Sequence, residues 1–160
     1  MLTVTRHILV SAPKEHVSEY LRDASRLADY EQKVDQCKVT YPDGETALAE
    51  VSGRYFGVPW SGSFKMVYTG DGGYQSEMLK GPFRKGLGGF ELTKVAGGTR
   101  VMHLESYHLP LALKVLRPIL RRWLVRSMDL ELGIIKEGAE GLHRRRLLED
   151  IDRDVQLDSR

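Results

Sequence analysis

His103, Glu105 and Tyr107 sit two residues apart in a strand-like stretch, so their side chains share one face. An imidazole and a carboxylate placed together can bind a hydroxyl or carbonyl oxygen, or act as acid and base in a cyclisation or a dehydration. If that face is the inner one, the three residues form a polar stripe in an apolar enclosure. If it is the outer one, Met102 and Leu104 point inward and the stripe is solvated. Strand register is poorly set by sequence, so parity leaves both arrangements open. Adding His108 suggests a metal set, but His108 has the opposite parity and no further ligand completes it; no metal is expected.

Glu131 is the second feature with chemical potential. It lies in an apolar helical stripe, between Ser127 and Ile134/Ile135, where a carboxylate must be partnered or reach water. There it could hydrogen-bond a ligand. The plainer expectation is a pair with an arginine, or a place at the stripe's margin, because acidic residues are rarely fully buried alone. Cys37, the one cysteine, has no base beside it and reads as a small strand residue.

The helix that carries Glu131 is the longest pattern in the chain, over about residues 113–146. At 3.6 residues per turn Leu116, Ile119, Leu120, Trp123, Leu124, Ser127, Leu130, Ile134, Ile135 and Leu142 fall on one side. Arg121, Arg122, Arg126, Asp129, Lys136 and Glu140 point away. A helix of that length spans roughly 45 Å and needs a large partner surface.

The rest of the chain supplies one. A strand over residues 2–10 ends at Ser11-Ala12-Pro13, and two short helices follow, with Val17, Tyr20 and Leu21 on the apolar side of the first. From 34 to 107 the period is two, with turns at Pro42-Asp43-Gly44, Gly57-Val58-Pro59, Gly70-Asp71-Gly72-Gly73, Gly81-Pro82-Phe83 and Ala96-Gly97-Gly98. Connections this short fit an antiparallel meander, because parallel strands need crossovers. The fold expected is α+β: about seven antiparallel strands curved around the long C-terminal helix, with two short helices after the first strand. The domain covers 1–146, and 147–160 reads as a polar tail.

The composition excludes several classes. The 160 residues are 41% hydrophobic and 29% charged, and 24 basic against 22 acidic residues leave a net charge of +2. That suits one domain and is too balanced to imply a nucleic-acid surface. Residues 1–10 lack the apolar core of a signal peptide, and no stretch approaches roughly 18 uninterrupted apolar residues. With one cysteine unable to form an internal disulfide, a soluble cytoplasmic protein is expected. Around residues 109–125, Pro110, Pro118 and a run of arginines could mark a portal touching anionic lipid, although such arginines are more often the solvated back of a helix. The glycine-rich stretches lack the phosphate-loop pattern, no nucleophile elbow, zinc-protease or kinase signature occurs, and no cofactor is expected.

The order of elements, with Val10-Ser11-Ala12-Pro13, Val17 and Leu21-Arg22-Asp23 at the front, is shared with a known group. Gly81-Pro82-Phe83, Phe90-Glu91-Leu92, Gly97-Gly98-Thr99-Arg100-Val101, Ile135-Lys136 and Ala139-Glu140 follow in the matching places. Over residues 2–142 the chain resembles the START-like (SRPBCC, Bet v 1-like) superfamily with the helix-grip fold, and within it the polyketide cyclase/dehydrase and coenzyme Q-binding group. The resemblance implies a cavity between sheet and helix for a lipid, quinone, sterol or polyketide. Tyr55, Phe64, Met66, Tyr68, Met78 and Phe90 could line it, or could simply fill the core; Leu120, Leu124, Ser127, Glu131 and His103 complete the candidate binding set. Binding or transport of a hydrophobic small molecule is the expected function. The alternatives are an aromatase/cyclase-type enzyme working through His103, Glu105 or Tyr107, and a protein-interaction module.

Overall fold

The computed structural model describes residues 1–41, 43–55 and 57–158. The period-two segments form the strands β1 (Leu2–Val10), β2 (Val34–Thr40), β3 (Thr46–Tyr55), β4 (Val58–Tyr68), β5 (Tyr74–Lys80), β6 (Gly86–Val95) and β7 (Gly98–Tyr107). Short hairpins join β2 through β7, and Gly97 provides the left-handed φ of 82° that the tight β6–β7 turn needs. In the expected turn Pro42-Asp43-Gly44, Pro42 lies outside the described residues; the Asp43 carboxylate accepts the Glu45 amide at 2.9 Å.

All seven strands form one antiparallel sheet in the order β1-β7-β6-β5-β4-β3-β2. The order follows from the chain: neighbours in sequence pair through hairpins, and β1 pairs with β7 from Leu2 opposite Tyr107 to Val10 opposite Thr99. This is the helix-grip architecture that the periodicity predicts. Between β1 and β2 the chain forms α1 (Lys14–Arg22), a 3₁₀ turn and α2 (Leu27–Tyr30). Val17, Tyr20 and Leu21 bury the apolar side of α1.

The long helix α3 (Arg117–Asp158) packs on β1 and β7, with α1 and α2 against it. Its bounds differ from the expected 113–146. Residues 111–113 instead make a 3₁₀ turn, and Pro118 sits in the first turn of α3, where its missing N–H costs nothing. At the other end no proline or glycine interrupts residues 142–158, so the helix continues through the expected tail, with Arg146–Glu149 and Arg153–Asp150 paired at i,i+3.

The buried sector of α3 is also narrower than the apolar stripe. Leu124, Met128, Leu132, Ile135 and Ala139 are buried, whereas Leu116, Ile119 and Leu130 are exposed. Periodicity defines a stripe but not its centre, and only the sector facing the sheet is covered. One cluster of core residues joins Val17, Leu21 and Tyr30 to Met66, Phe90, Leu132 and Ile135. A second, toward the start of α3, joins Leu2, Val4, Met78, Tyr107, Leu124 and Met128. Helix α1 meets α3 where Gly138 faces Tyr20; a Cβ on Gly138 would lie 2.4 Å from the Tyr20 ring.

Candidate functional site

Between the sheet and the helices lies a small cavity of about 60 Å³. Tyr55, Trp60, Phe64, Met66 and Tyr74 provide apolar wall, the β6 backbone at Gly86–Gly89 forms another side, and Glu31, Lys33, His103, Glu105, Tyr107 and Glu131 converge in it. Glycine is needed in that wall: Gly89 has φ 152°, and a Cβ there would come within 2.3 Å of the Tyr74 carbonyl oxygen.

The face of β7 left open by parity is settled by burial. His103, Glu105 and Tyr107 point inward, while Leu104 is exposed and Met102 is half-buried. Of the candidate binding residues, Tyr55, Phe64, Met66, His103 and Glu131 line the cavity. The others stand outside its lining. Tyr68 donates its hydroxyl to the Arg22 carbonyl at 2.7 Å, and Phe90 lies behind His103 with the rings stacked at 4.2 Å. Met78 and Leu124 belong to the second core cluster with Leu120 packed against it, and Ser127 is buried on α3.

Lys33 organises the polar end of the cavity. It sits just before β2, where its carbonyl accepts the Trp60 indole N–H at 2.9 Å and the Arg54 amide at 3.2 Å. Those two bonds fix the backbone and send the side chain inward. The buried Lys33 ammonium lies 2.8 Å from Glu31 Oε1, 2.8 Å from Glu105 Oε1 and 4.0 Å from Glu131 Oε2. Glu105 accepts a further bond from the Tyr107 hydroxyl at 2.6 Å. Glu131 therefore lies neither at a margin nor beside an arginine; its nearest cation is Lys33. An arginine was the natural expectation because the same helix carries several, but theirs is the opposite face.

Three carboxylates around one ammonium cannot all stay ionised out of water. Burial, reinforced by the Glu31 charge, holds the Glu131 carboxyl well above its ordinary pKa and biases it toward its protonated form. Burial also raises Glu31, with Lys33 opposing it. Burial works against the Lys33 charge too, yet the Glu105 and Glu31 carboxylates outweigh it and hold Lys33 well above its usual value. The Lys33 ammonium, with the Tyr107 hydroxyl donating to it, overcomes the burial of Glu105 and holds its carboxyl below the ordinary value. Burial pushes His103 down to about 4, so the imidazole is neutral. Its Nε2 lies 3.6 Å from Glu105 Oε1 and its Nδ1 3.6 Å from Glu131 Oε2. The Glu105 carboxylate favours a proton on Nε2, which leaves Nδ1 as the basic atom.

A family model described as polyketide cyclase / dehydrase and lipid transport matches residues 1–140. The chain belongs to this family. No curated protein sequence matches it. Solved structures share the fold of this polyketide cyclase/dehydrase family member at low identity. TTHA0849 from Thermus thermophilus superposes with a TM-score of 0.74 at 18% identity, over 86% of this chain and 95% of that one. The Zhui aromatase/cyclase from Streptomyces sp. R1128 gives 0.72 at 14%, over 86% and 93%. A START superfamily protein from Mycobacterium smegmatis gives 0.71 at 14%, over 88% and 98%.

In this family member the ligand atoms of His103, Glu105 and Glu131 lie within 4.8 Å of one another, close enough to hold a metal ion. Lys33 already supplies the positive charge there, and a cation would have to displace its ammonium. His108, the other residue considered for a metal, is exposed beyond the end of β7. Sequence reasoning missed Lys33 and Glu31, which fall in the polar run Glu31-Gln32-Lys33 and look like loop residues. No local signal marks them, since long-range pairing with β3 and β7 buries them. Among the described residues no helix is long and apolar enough to cross a membrane.

Proposed function

We propose that the protein binds a hydrophobic small molecule in this cavity, with an oxygen-bearing group of the ligand set against Glu131 and His103. One observation supports the reading above all: Glu131 Oε2 and His103 Nδ1 are buried without a hydrogen-bond partner among the described residues, at the wall of a largely aromatic space. A ligand hydroxyl or carbonyl would satisfy them, whereas unfilled they cost about 1–3 kcal/mol each. Tyr55, Phe64 and Met66 hold the apolar part, and Tyr68, Met78, Phe90, Leu120, Leu124 and Ser127 shape the wall from behind. Native mass spectrometry of the protein purified from its own host, followed by denaturing extraction, tests the reading. A lipid, quinone or polyketide released in stoichiometric amount is the expected result; an empty protein that also takes up none of these classes in solution overturns it.

A second reading, catalysis, is favoured by the opposed shifts at the polar end: a neutral imidazole faces a carboxyl that burial biases toward its protonated form, with a fixed ammonium beside them. In a dehydration of a β-hydroxy ketone, His103 Nδ1 takes the proton from the carbon between the two oxygenated carbons. The C–H electrons move into the carbonyl to give an enolate, whose collapse forms the new double bond as the C–O bond breaks, and the Glu131 proton leaves with the hydroxyl as water. The Lys33 charge steadies the enolate on the way. His103→Gln should then abolish turnover with little loss of binding; equal loss of both would reassign His103 to ligand positioning.

A further inference from the structure

We propose that the end of the molecule built from residues 108–128 and 78–90 docks on an anionic lipid bilayer. The two stretches are tied together where the His108 amide donates to the Lys85 carbonyl at 2.9 Å. Neither contains an acidic residue, and together they hold Lys80, Arg84, Lys85, Lys114, Arg117, Arg121, Arg122 and Arg126. Those eight are a third of the 24 basic residues, so the rest of the chain carries 16 against all 22 acidic ones. A nearly neutral protein thus has one strongly positive end. All eight side chains are exposed, and among the described residues none forms an ion pair, whereas Arg6, Arg26 and Arg146 elsewhere are paired with acidic side chains.

Exposed aliphatic side chains are interleaved with this charge. Leu111 and Val115 are each 80% exposed and Ile119 63%. Ile119, Arg122 and Arg126 follow one outward row of α3, and Val115 precedes them at the same spacing. The 3₁₀ turn at Leu111–Leu113 and the proline-bearing start of α3 hold the apolar residues in place. A bilayer surface accepts this mixture: the aliphatic groups enter the acyl boundary while long cationic stems reach the phosphates. A protein partner would call for a charge-poor interface centre with aromatic anchors. A second copy of the chain would bring two eightfold positive ends together. The docking end also adjoins the cavity, since Tyr55 lines the cavity and contacts Phe83 and Trp123 at ring distances of 5.4 and 5.8 Å.

Vesicle flotation tests the proposal, with phosphatidylcholine vesicles alone and with phosphatidylserine added, at low and at physiological salt. Binding is expected only when phosphatidylserine is present. Arg121→Gln with Arg122→Gln should weaken it about 30-fold, and Val115→Ser with Ile119→Ser about tenfold or more. All four positions are exposed, so both variants should melt as the wild type does. The proposal is overturned if phosphatidylserine vesicles are not bound, or if the charge variant loses binding while the apolar variant keeps it, which indicates attraction to any polyanion. Equally tight binding to double-stranded DNA, or a concentration-dependent dimer that the apolar variant dissolves, would reassign the patch.

Discussion

Glu131 Oε2 on α3 and His103 Nδ1 on β7 face each other at 3.6 Å, buried, with no hydrogen-bond partner for either among the described residues. The distance exceeds a hydrogen bond and leaves both atoms available to a third group. Phe90 stacked on the imidazole and Glu105 near its Nε2 fix the ring, and the long helix fixes the carboxyl. The cavity thus presents two unsatisfied polar atoms at a single point in its wall.

Because burial depresses His103 to about 4, the unfolded chain takes up this proton near pH 6.5 and the folded one only well below it. Stability is present above pH 6.5 and is lost as pH falls toward 4, by about 3 kcal/mol. Urea denaturation at pH 7 and pH 4 should show this loss, and His103→Gln should show a correspondingly shallower one.

Glu131 has the opposite sign. Burial raises its carboxyl pKa in the fold, so the unfolded chain ionises it at lower pH and its effect on stability worsens as pH rises above the ordinary carboxylate range. Glu131→Gln should therefore equal the wild type near pH 4 and exceed it in denaturation midpoint at pH 8. Lower stability than wild type at both pH values would mean that the ionised carboxylate supports the fold.

Lys33→Met leaves the carboxylates of Glu31 and Glu105 without their ammonium. Breaking such a buried pair from one side costs about 3–5 kcal/mol, read by denaturant unfolding. Adding Glu105→Gln should recover part of the loss, because it removes one of the two stranded charges.

Met66 is buried in the cavity wall. Met66→Ala should cost about 2–5 kcal/mol and shift the preferred ligand toward a bulkier one in a competition series.

Gly138→Ala probes the contact of α1 with α3. Its methyl group would lie 2.4–2.5 Å from three atoms of Tyr20, so the helices must separate. A loss of about 1–3 kcal/mol is expected, against the gain that Gly→Ala brings on an open helix. Tyr20→Leu in the same background should restore part of it.

The strands, their hairpins and the order of elements were legible along the chain because each rests on local rules: alternation for β1 to β7, turn residues between them, and a long 3.6 period for α3. The helix-grip arrangement followed from needing to cover one apolar sheet face. His103, Glu105, Tyr107 and Glu131 stood out for the same reason, since polar types at patterned positions are visible locally. Tyr68 and Phe90 look alike in sequence to Tyr55 and Phe64, yet only the latter pair line the cavity: Tyr68 lies at the far end of β4, beyond Met66, and Phe90 is stacked behind His103.

Composition and period thus determined the class of fold and the chemical types at hand. Which face of β7 turns inward, which sector of α3 is buried, and that Lys33 rather than an arginine meets Glu131 came from contacts between residues far apart in the chain. Lys33 and Glu105 are 72 residues apart, and no local pattern carries information across that span. Charge behaves likewise: the net +2 is read from the sequence, but gathering eight positive side chains at one end required the β5–β6 loop to fold against the segment that leads from β7 into α3.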